Sequence, residues 1–484
     1  MPALPILLSC LLLSLLTGCA VNPATGERNF VMMSERQELD LGSRYNQQIQ
    51  KEFPRYADDR LQAYVQRVGE RVARHSHRAN LNYIFTVVDS PDINAFALPG
   101  GYIYIHRGLM AYLNSEAELA AVLAHEVGHV TARHSVQQQS QSQAWNILGQ
   151  AVAIGTGVSA AGDLTNVLGG AMVRGYGRDM ELQADGLGAQ YLARSGYDPQ
   201  AMIEVVKVLK NQEAFARDEA KRKGQEVPEA GSYHGVFDTH PDNDTRLQQV
   251  VRPARALAGG QQEVNREAYL KAIDGMPFGD SADTGIRRGQ QFYHVGLDFT
   301  LRYPDGWELV NRPEVLIGHP RDEQAFIAMQ LAERTPGLTP SELLHQRAGR
   351  QRLVMEETFS QDGIIGVTAV VPGDSARRVA VVFKGDQAYL FIAGMKGRAS
   401  LETEDARFLS VIYSFRALKP EERALAQPPR LHLVQVKAAE TVAGIVRASG
   451  AAGDQAELEN RIRLINNLYP IGEPKAGDWL KVVR

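Results

Sequence analysis

Residues 122–134 read "VLAHEVGHVTARH", and this stretch decides which fold to expect around it. Ser115 followed by Glu118 forms a capping-box pattern, which predicts a helix over 116–135. On that helix His125 and His129 are four positions apart, so their imidazoles project from one face. Their separation suits two ligands of one tetrahedral zinc ion. The alternative is a helix whose histidines are solvated or hydrogen-bonded within the core.

A zinc hydrolase also needs a general base and a third protein ligand. Glu126 follows His125, so its carboxylate points beside the metal and can take a proton from a water that zinc acidifies to a pKa of about 7. Downstream, "RDMELQADGLGAQYLARSGYDP" (178–199) predicts a second helix. Glu181 can reach the metal from it, and Asp185, one turn on, can orient a ligating histidine. An exposed acidic face is the alternative, but the apolar residues of this helix weaken it.

These two motifs together resemble the gluzincin metallopeptidases of family M48, which include the CAAX prenyl proteases, HtpX and BepA-like periplasmic lipoproteins. The resemblance covers about 35–255 and extends to "NAFALPGGYIYIHRGL" (94–109), "RH" (133–134) and "THP" (239–241). It implies a mainly α, zincin-type domain with a small sheet and one Zn²⁺ per chain. Residue by residue, it implies three zinc ligands, a general base and an orienting carboxylate, which are His125, His129, Glu181, Glu126 and Asp185.

The segment "GGYIYI" is expected to form an exposed sheet edge beside the histidine helix. A peptide could pair with such an edge through main-chain hydrogen bonds, which predicts cleavage of extended segments with loose sequence preference. The candidate substrate-binding residues are Asn94, Phe96, Gly101, Tyr102 and Ile103. Simple packing is an equally good interpretation for Phe96.

His240, in "THP", is the candidate donor to the developing oxyanion, or a plug that occupies the fourth zinc position at rest. An N-cap or surface histidine is the alternative, and Arg246 is a weaker candidate donor. His134 matches the family pattern, but a continuous helix would put it on the face opposite His125, which argues against a ligand role.

The N-terminus, "MPALPILLSCLLLSLLTGCA", indicates the compartment. Its apolar run ends in "LTGC" (16–19), which resembles a bacterial lipobox, so residues 1–18 are expected to be a lipoprotein signal peptide and Cys19 the lipidated residue. Residues 19–34 would form an extended tether. Ala20 favours, by resemblance, sorting to the periplasmic face of the outer membrane. An ordinary signal peptide or a short anchor is the alternative.

Three folded regions are expected, namely a peptidase domain at 35–275, an α+β domain at 291–416 and a βααβ module at 430–484. The second weakly resembles PsbP/Mog1-type domains. The third resembles a LysM module, although Ala439-Glu440 replaces the usual Gly-Asp, and both peptidoglycan binding and a scaffold role stay open. Residues 142–162 carry no charge and are expected to form a hairpin over the active site.

The sequence therefore predicts a zinc endopeptidase of the cell envelope that acts on unfolded or stalled envelope proteins. The alternative function is an envelope chaperone or cell-wall-binding protein whose protease site is largely silent. The formal net charge of -4 over 484 residues provides no basic field for nucleic acid, so nucleic-acid partners are not expected.

Overall fold

The computed structural model describes residues 19–141, 176–222, 224, 251–256, 261–312, 314–397, 400–450 and 453–484. These belong to two compact units. The first comprises residues up to 50, 55–278 and 430–484, and the second comprises 51–54 and 279–429. The protein is multidomain, as expected, with a helical unit that carries the histidine helix and a separate sheet-rich unit. None of the described helices is long and apolar enough to cross a membrane.

Helices dominate the first unit. They include α1 Glu35–Glu52, α2 Asp59–Ala73, α3 Arg107–Tyr112, α4 Glu116–Ala132, α5 Arg178–Arg194, α6 Ala201–Arg222, α7 Arg266–Ile273, α10 Val442–Ser449 and α11 Gln455–Ile465. The strands of this unit are β1 Cys19–Val21, β2 Arg28–Phe30, β3 Ile84–Val88, β4 Ala95–Leu98, β5 Tyr102–His106, β17 Leu431–Gln435 and β18 Trp479–Val483.

A three-stranded sheet lies against the histidine helix α4. Its order is β3-β5-β4, with β5 parallel to β3 and antiparallel to β4. The chain reverses between β4 and β5 at Gly100 and Gly101, whose φ angles of 82° and 98° favour glycine. Alternate residues of β4 and β5 share one buried core with α4, and these are Ala95, Ala97, Ile103 and Ile105.

Helices α4 and α5 pack unusually close together because glycines line their contact. A Cβ added at Gly128 would lie 2.7 Å from the carbonyl oxygen of Ala184, and one at Gly188 would lie 3.0 Å from the amide nitrogen of His125. The two glycines therefore leave room for this close packing. This contact brings the side chains of the two helices within reach of one another.

The segment expected to be an extended tether is folded onto the first unit. β1 and β2 pair antiparallel, with Cys19 opposite Phe30. Asn22 is buried, and the amide of Met32 donates to Ser140 Oγ at 3.0 Å. The expectation for 19–34 is therefore wrong, because these backbone and side-chain polar groups find partners on the first unit. The expected signal peptide, 1–18, lies outside the described residues.

The C-terminal module has the expected order of strand, helix, helix, strand, in which β17 pairs antiparallel with β18. However, it packs within the first unit and does not form a third one. Leu431 and Ile465 lie in the same core as the residues of α4. Lys481 Nζ donates to the carbonyl oxygens of Ala111 and Leu113 at 2.9 and 2.6 Å. An amphipathic sequence pattern does not show which neighbour an apolar face covers, which is why the prediction separated this module.

The second unit is built from antiparallel sheets. A seven-stranded sheet has the order β12-β13-β14-β15-β11-β10-β9, and a four-stranded sheet has the order β16-β8-β7-β6. Its strands are β6 Ile286–Arg288, β7 Gln291–His294, β8 Phe299–Arg302, β9 Trp307–Arg312, β10 Val315–Pro320, β11 Ala325–Glu333, β12 Val354–Gln361, β13 Ile364–Val371, β14 Arg377–Lys384, β15 Gln387–Met395 and β16 Arg416–Ala417. Helices α8 Pro340–Ala348 and α9 Asp405–Tyr413 complete it. Strand β6 lies before residue 291, where this domain was expected to begin.

Candidate functional site

The histidine helix begins where the sequence predicts. Ser115 is the N-cap of α4, and its side chain accepts from the amide of Glu118 at 3.2 Å. The Glu118 carboxylate reaches back to the amide of Asn114 at 2.7 Å, so two free amides at the helix start are satisfied. His125 and His129 lie on one face of this helix, with their Nε2 atoms 3.0 Å apart. Both Nε2 atoms therefore face the same point.

Helix α5 places a carboxylate at that point. Glu181 Oε2 lies 3.4 Å from His125 Nε2, and Glu181 Oε1 lies 3.5 Å from His129 Nε2. One ligand atom from each of the three side chains lies within 4.8 Å of the others. Among the described residues, this group is the only one of three or more histidine, cysteine or acidic side chains close enough to hold a metal ion.

The chemistry of this donor set fits a divalent cation. The Glu181 side chain is 0% exposed, and a buried carboxylate is costly unless positive charge lies beside it. Two imidazoles and one carboxylate are the ligand set of a catalytic zinc site that keeps a fourth position open. His125 retains 15% exposure of its side chain, so the cluster is reachable from one side. The arrangement is compatible with a metal site.

The carboxylate of Asp185, one turn after Glu181, contacts the ring of His125. Its Oδ1 atom lies 2.9 Å from His125 Nδ1, the ring nitrogen that faces away from the cluster. Burial alone would lower the pKa of His125, but hydrogen bonds with Asp185 and Glu181 raise that pKa well above its ordinary value. The site thus attracts positive charge, whether from a proton or from a metal ion.

Glu126, the expected general base, follows His125 in the helix and is buried beside the cluster. Sequence reasoning missed its neighbour Tyr176, whose ring stacks on His129 with centroids 4.0 Å apart and whose hydroxyl lies 2.7 Å from Ser135 Oγ. Burial raises the pKa of Tyr176, and the nearby Glu126 carboxylate raises it further. Tyr176 is therefore a neutral phenol that covers one side of the site.

His134 does not lie on the face opposite His125, contrary to the prediction. Helix α4 ends at Ala132 because Arg133 adopts a left-handed conformation with φ 59°, which turns the chain back. His134 Nδ1 consequently lies 2.8 Å from His129 Nδ1. Burial lowers the pKa of His134 to about 4, so its imidazole is neutral near pH 7. Position 133, where a glycine would have indicated this turn, is an arginine.

The sheet edge beside the cluster is β4, and not the strand that was expected. Tyr102 and Ile103 belong to β5, the middle strand, and Gly101 lies in the turn before it. The exposed-edge prediction for these three residues is wrong, because "NAFAL" folds back along β5 and occupies its outer side. Among the described strands none pairs with the other edge of β4, which packs against α4.

The backbone of β4 presents alternate residues to that edge. The amide of His106 donates to the carbonyl of Asn94 at 2.9 Å, which makes this a hydrogen-bonded pair of the ladder. Alternation along an antiparallel ladder then points the backbone groups of Ala95 and Ala97 away from β5. The Ala95 amide already donates to Asn94 Oδ1 at 2.9 Å. The Ala97 amide is therefore the donor placed to meet an added strand.

Phe96 packs on the sheet face opposite the core that contains α4. Its ring stacks on Tyr104 with centroids 5.0 Å apart and meets His106 edge-on at 5.9 Å. Asn94, half-buried, immediately precedes the strand. The candidate oxyanion donor His240, its weaker alternative Arg246 and the uncharged segment 142–162 lie outside the described residues.

Comparison with known proteins finds a family model that is similar to the region of this site. Residues 59–254 match the family model described as Peptidase family M48. This region of the chain is therefore similar to the M48 peptidases. The matched range includes the His-Glu-x-x-His helix and Glu181, and its similarity to metalloproteases supports a hydrolase site here.

Curated relatives share this M48 region. The beta-barrel assembly-enhancing protease of Escherichia coli (strain K12) is 33% identical over 247 residues, which are 49% of this chain and 48% of that protein. The mitochondrial metalloendopeptidase OMA1 of Schizosaccharomyces pombe is 28% identical over 236 residues, which are 47% of this chain and 64% of that protein. The chain spans about half the length of the assembly-enhancing proteases it matches.

One solved structure is similar to a smaller part of the chain. The solution structure of cyanobacterial PsbP from Synechocystis sp. PCC 6803 matches 28% of this chain and 95% of its own, with 14% identity and a TM-score of 0.22. A TM-score this low carries no argument about the fold. The PsbP/Mog1-type resemblance of 291–416 therefore stays a prediction, as does the LysM-like resemblance of 430–484.

Proposed function

We propose that this chain is a zinc-dependent endopeptidase of the bacterial cell envelope. It hydrolyses peptide bonds in extended or misfolded periplasmic and outer-membrane proteins. The observation that carries this proposal is the convergence of His125, His129 and Glu181 from two helices, next to the buried carboxylate of Glu126. A helix that merely contained histidines would need no third donor from another segment.

In this proposal the three converging side chains hold one zinc ion. When bound, zinc lowers the pKa of a water molecule and polarises the scissile carbonyl. Glu126 accepts a proton from the attacking water and passes it to the leaving amine. Asp185 keeps His125 in the orientation that directs its Nε2 inward. His240 remains the candidate donor to the oxyanion.

In this proposal the peptide substrate pairs with the edge strand β4, and not with Gly101, Tyr102 and Ile103 as the sequence predicted. A peptide that pairs with Ala97 through main-chain hydrogen bonds would lie along α4, because β4 packs against that helix. Such pairing reads the backbone and few side chains, so extended segments are preferred over folded ones. This matches the predicted substrates, which are unfolded or stalled envelope polypeptides.

The envelope location has two supports. Several relatives are named beta-barrel assembly-enhancing protease, and this name supports an envelope location. The lipobox-like "LTGC" makes Cys19 the proposed lipid anchor on the periplasmic face of the outer membrane. Peptidoglycan binding by 430–484 is a further proposal that rests on its LysM-like sequence alone.

A Glu126→Gln variant tests the proposed activity. The purified chain should contain about one zinc per chain and cleave casein, and the variant should keep the zinc while cleavage falls by about 10²-fold or more. Glu267→Gln, at an exposed position of α7, is the control and should cleave like wild type. Zinc-free wild type, or equal cleavage by Glu126→Gln, would overturn the proposal. A cellular phenotype that persists in Glu126→Gln would favour a chaperone or cell-wall-binding role.

A further inference from the structure

A chain of three side chains leads away from the candidate ligand His129. His129 Nδ1 lies 2.8 Å from His134 Nδ1, and His134 Nε2 lies 2.8 Å from Gln183 Oε1. Asn22 Nδ2 donates to the same Gln183 oxygen at 3.3 Å. The chain thus connects the metal cluster to the segment that follows Cys19. None of these contacts takes part in the proposed hydrolysis itself.

Hydrogen-bond chemistry fixes the direction of every donor in this chain. A neutral imidazole has one N–H donor and one acceptor nitrogen. If His129 Nε2 offers its lone pair to a metal, the ring proton sits on Nδ1 and is donated to His134 Nδ1. His134 must then carry its own proton on Nε2 and donate it to Gln183. The amide oxygen of Gln183 has two lone pairs, so it accepts from both His134 and Asn22.

Given the proposed zinc site, on which this inference rests, we propose that His134 is the positioning residue of His129. It accepts the Nδ1 proton and so holds the ring with Nε2 directed at the metal. Gln183 and Asn22 in turn hold His134. The two ligating histidines are then oriented differently, His125 by the carboxylate of Asp185 and His129 by a neutral imidazole. Such orienting partners raise metal affinity.

The turn that brings His134 into place is held by ion pairing. Arg133, in its left-handed conformation, donates through Nε to Glu38 Oε2 at 2.7 Å and through Nη2 to the carbonyl of Met33 at 3.0 Å. Glu38 also pairs with Arg78 at 2.7 Å, and all three charged groups are buried. These bonds offset the strain of a positive φ at a residue other than glycine. His134 is consequently held against His129 with little freedom.

Measurements of zinc affinity can distinguish an orienting role of His134 from simple packing. Asparagine at position 134 keeps an amide oxygen where the imidazole has Nδ1, whereas leucine fills the space without an acceptor. His134→Leu should weaken zinc binding about 10- to 100-fold in chelator competition, and His134→Asn should stay within a few-fold of wild type. The visible absorption of the Co²⁺-substituted protein should shift in His134→Leu and not in His134→Asn.

A second variant keeps the test informative if His134→Leu does not fold. Gln183→Met removes the acceptor for His134 Nε2, so the His134 proton can move to Nδ1, where the ring no longer accepts from His129, and zinc binding should also weaken. Unchanged zinc affinity in both His134→Leu and Gln183→Met would overturn the positioning role, as would equal losses in His134→Leu and His134→Asn. Failure of wild type to bind zinc or cobalt would instead overturn the proposed function.

Discussion

Lys481, in the last strand of the chain, places its Nζ atom 2.6 Å from the carbonyl oxygen of Leu113, two residues before the N-cap of the histidine helix. The ammonium also donates to the carbonyl of Ala111 at 2.9 Å and is fully buried. Burial lowers the pKa of Lys481 well below its ordinary range, while the nearby Glu118 carboxylate favours the charged form. The C-terminal module thus helps to fix the start of α4.

Replacing Lys481 by methionine should destabilise the first unit by about 3 kcal/mol, because two buried carbonyls would lose their donor and the buried Glu118 its basic partner. Urea unfolding measures the change. Lys475→Met, at an exposed position before the same strand, is the matched control and should change the unfolding free energy by less than about 0.5 kcal/mol. Equal effects of the two substitutions would show that the buried ammonium does not stabilise the peptidase unit.

The Asp185 carboxylate should contribute to metal affinity through its charge as well as its geometry. Asp185→Asn keeps an oxygen near His125 Nδ1 but removes the negative charge, so zinc affinity should fall about tenfold. Chelator competition measures this change. Asp179→Asn, on an exposed position of the same helix, controls for the overall charge and should bind zinc like wild type. A wild-type affinity in Asp185→Asn would leave no role for the charge.

The common face of the two histidines was predictable from the sequence because it depends on helix geometry alone, whereas their meeting with Glu181 depends on the packing of α5 against α4 and was implied by the family resemblance. His125 and His129 share a face by their four-residue spacing, and Asp185 follows Glu181 by the same spacing. Ser115 and Glu118 marked the start of α4 correctly. Local rules were sufficient for each of these features.

Features that depend on tertiary context were not predictable. Arg133 is not a residue type that signals a left-handed turn, so the placement of His134 was missed. The segments of β4 and β5 are both apolar, and nothing in "NAFALPGGYIYI" shows which of them is the outer strand. Lys481 is buried only because its strand packs against the segment that contains Ala111 and Leu113. In each case a distant segment decides the local structure.

The outward amide of Ala97 should matter for peptide substrates. Ala97→Pro removes this N–H, and proline is tolerated at sheet edges, so the fold and zinc content should be retained. The kcat/KM for a peptide should fall about tenfold, the equivalent of one main-chain hydrogen bond. Ala95→Pro is the control, because the amide it removes already donates to Asn94 Oδ1. If Ala97→Pro cleaves peptides as well as wild type does, β4 is not the substrate edge.

His106 should make the stability of the first unit depend on pH. It is buried in β5, and burial lowers its pKa to about 4. The nearby Asp92 carboxylate raises the pKa, but by less than burial lowers it. In the unfolded chain His106 takes up this proton near pH 6.5, whereas in the folded protein it does so only near pH 4. Protonation therefore favours the unfolded chain, so the free energy of unfolding is highest above about pH 6.5 and decreases as the pH falls toward about 4. Between about pH 6.5 and 5 the loss should approach about 2 kcal/mol.

Urea unfolding at about pH 7 and about pH 5, for wild type and His106→Phe, isolates this contribution. Phenylalanine is aromatic and cannot take up the proton, so the variant should lose less stability on acidification than wild type. Other buried histidines, such as His134, titrate in both proteins, and their effect cancels in the difference. Parallel pH dependence in the two proteins would mean that His106 accepts its proton in the folded state as readily as in the unfolded one, which its burial beside Phe96 opposes.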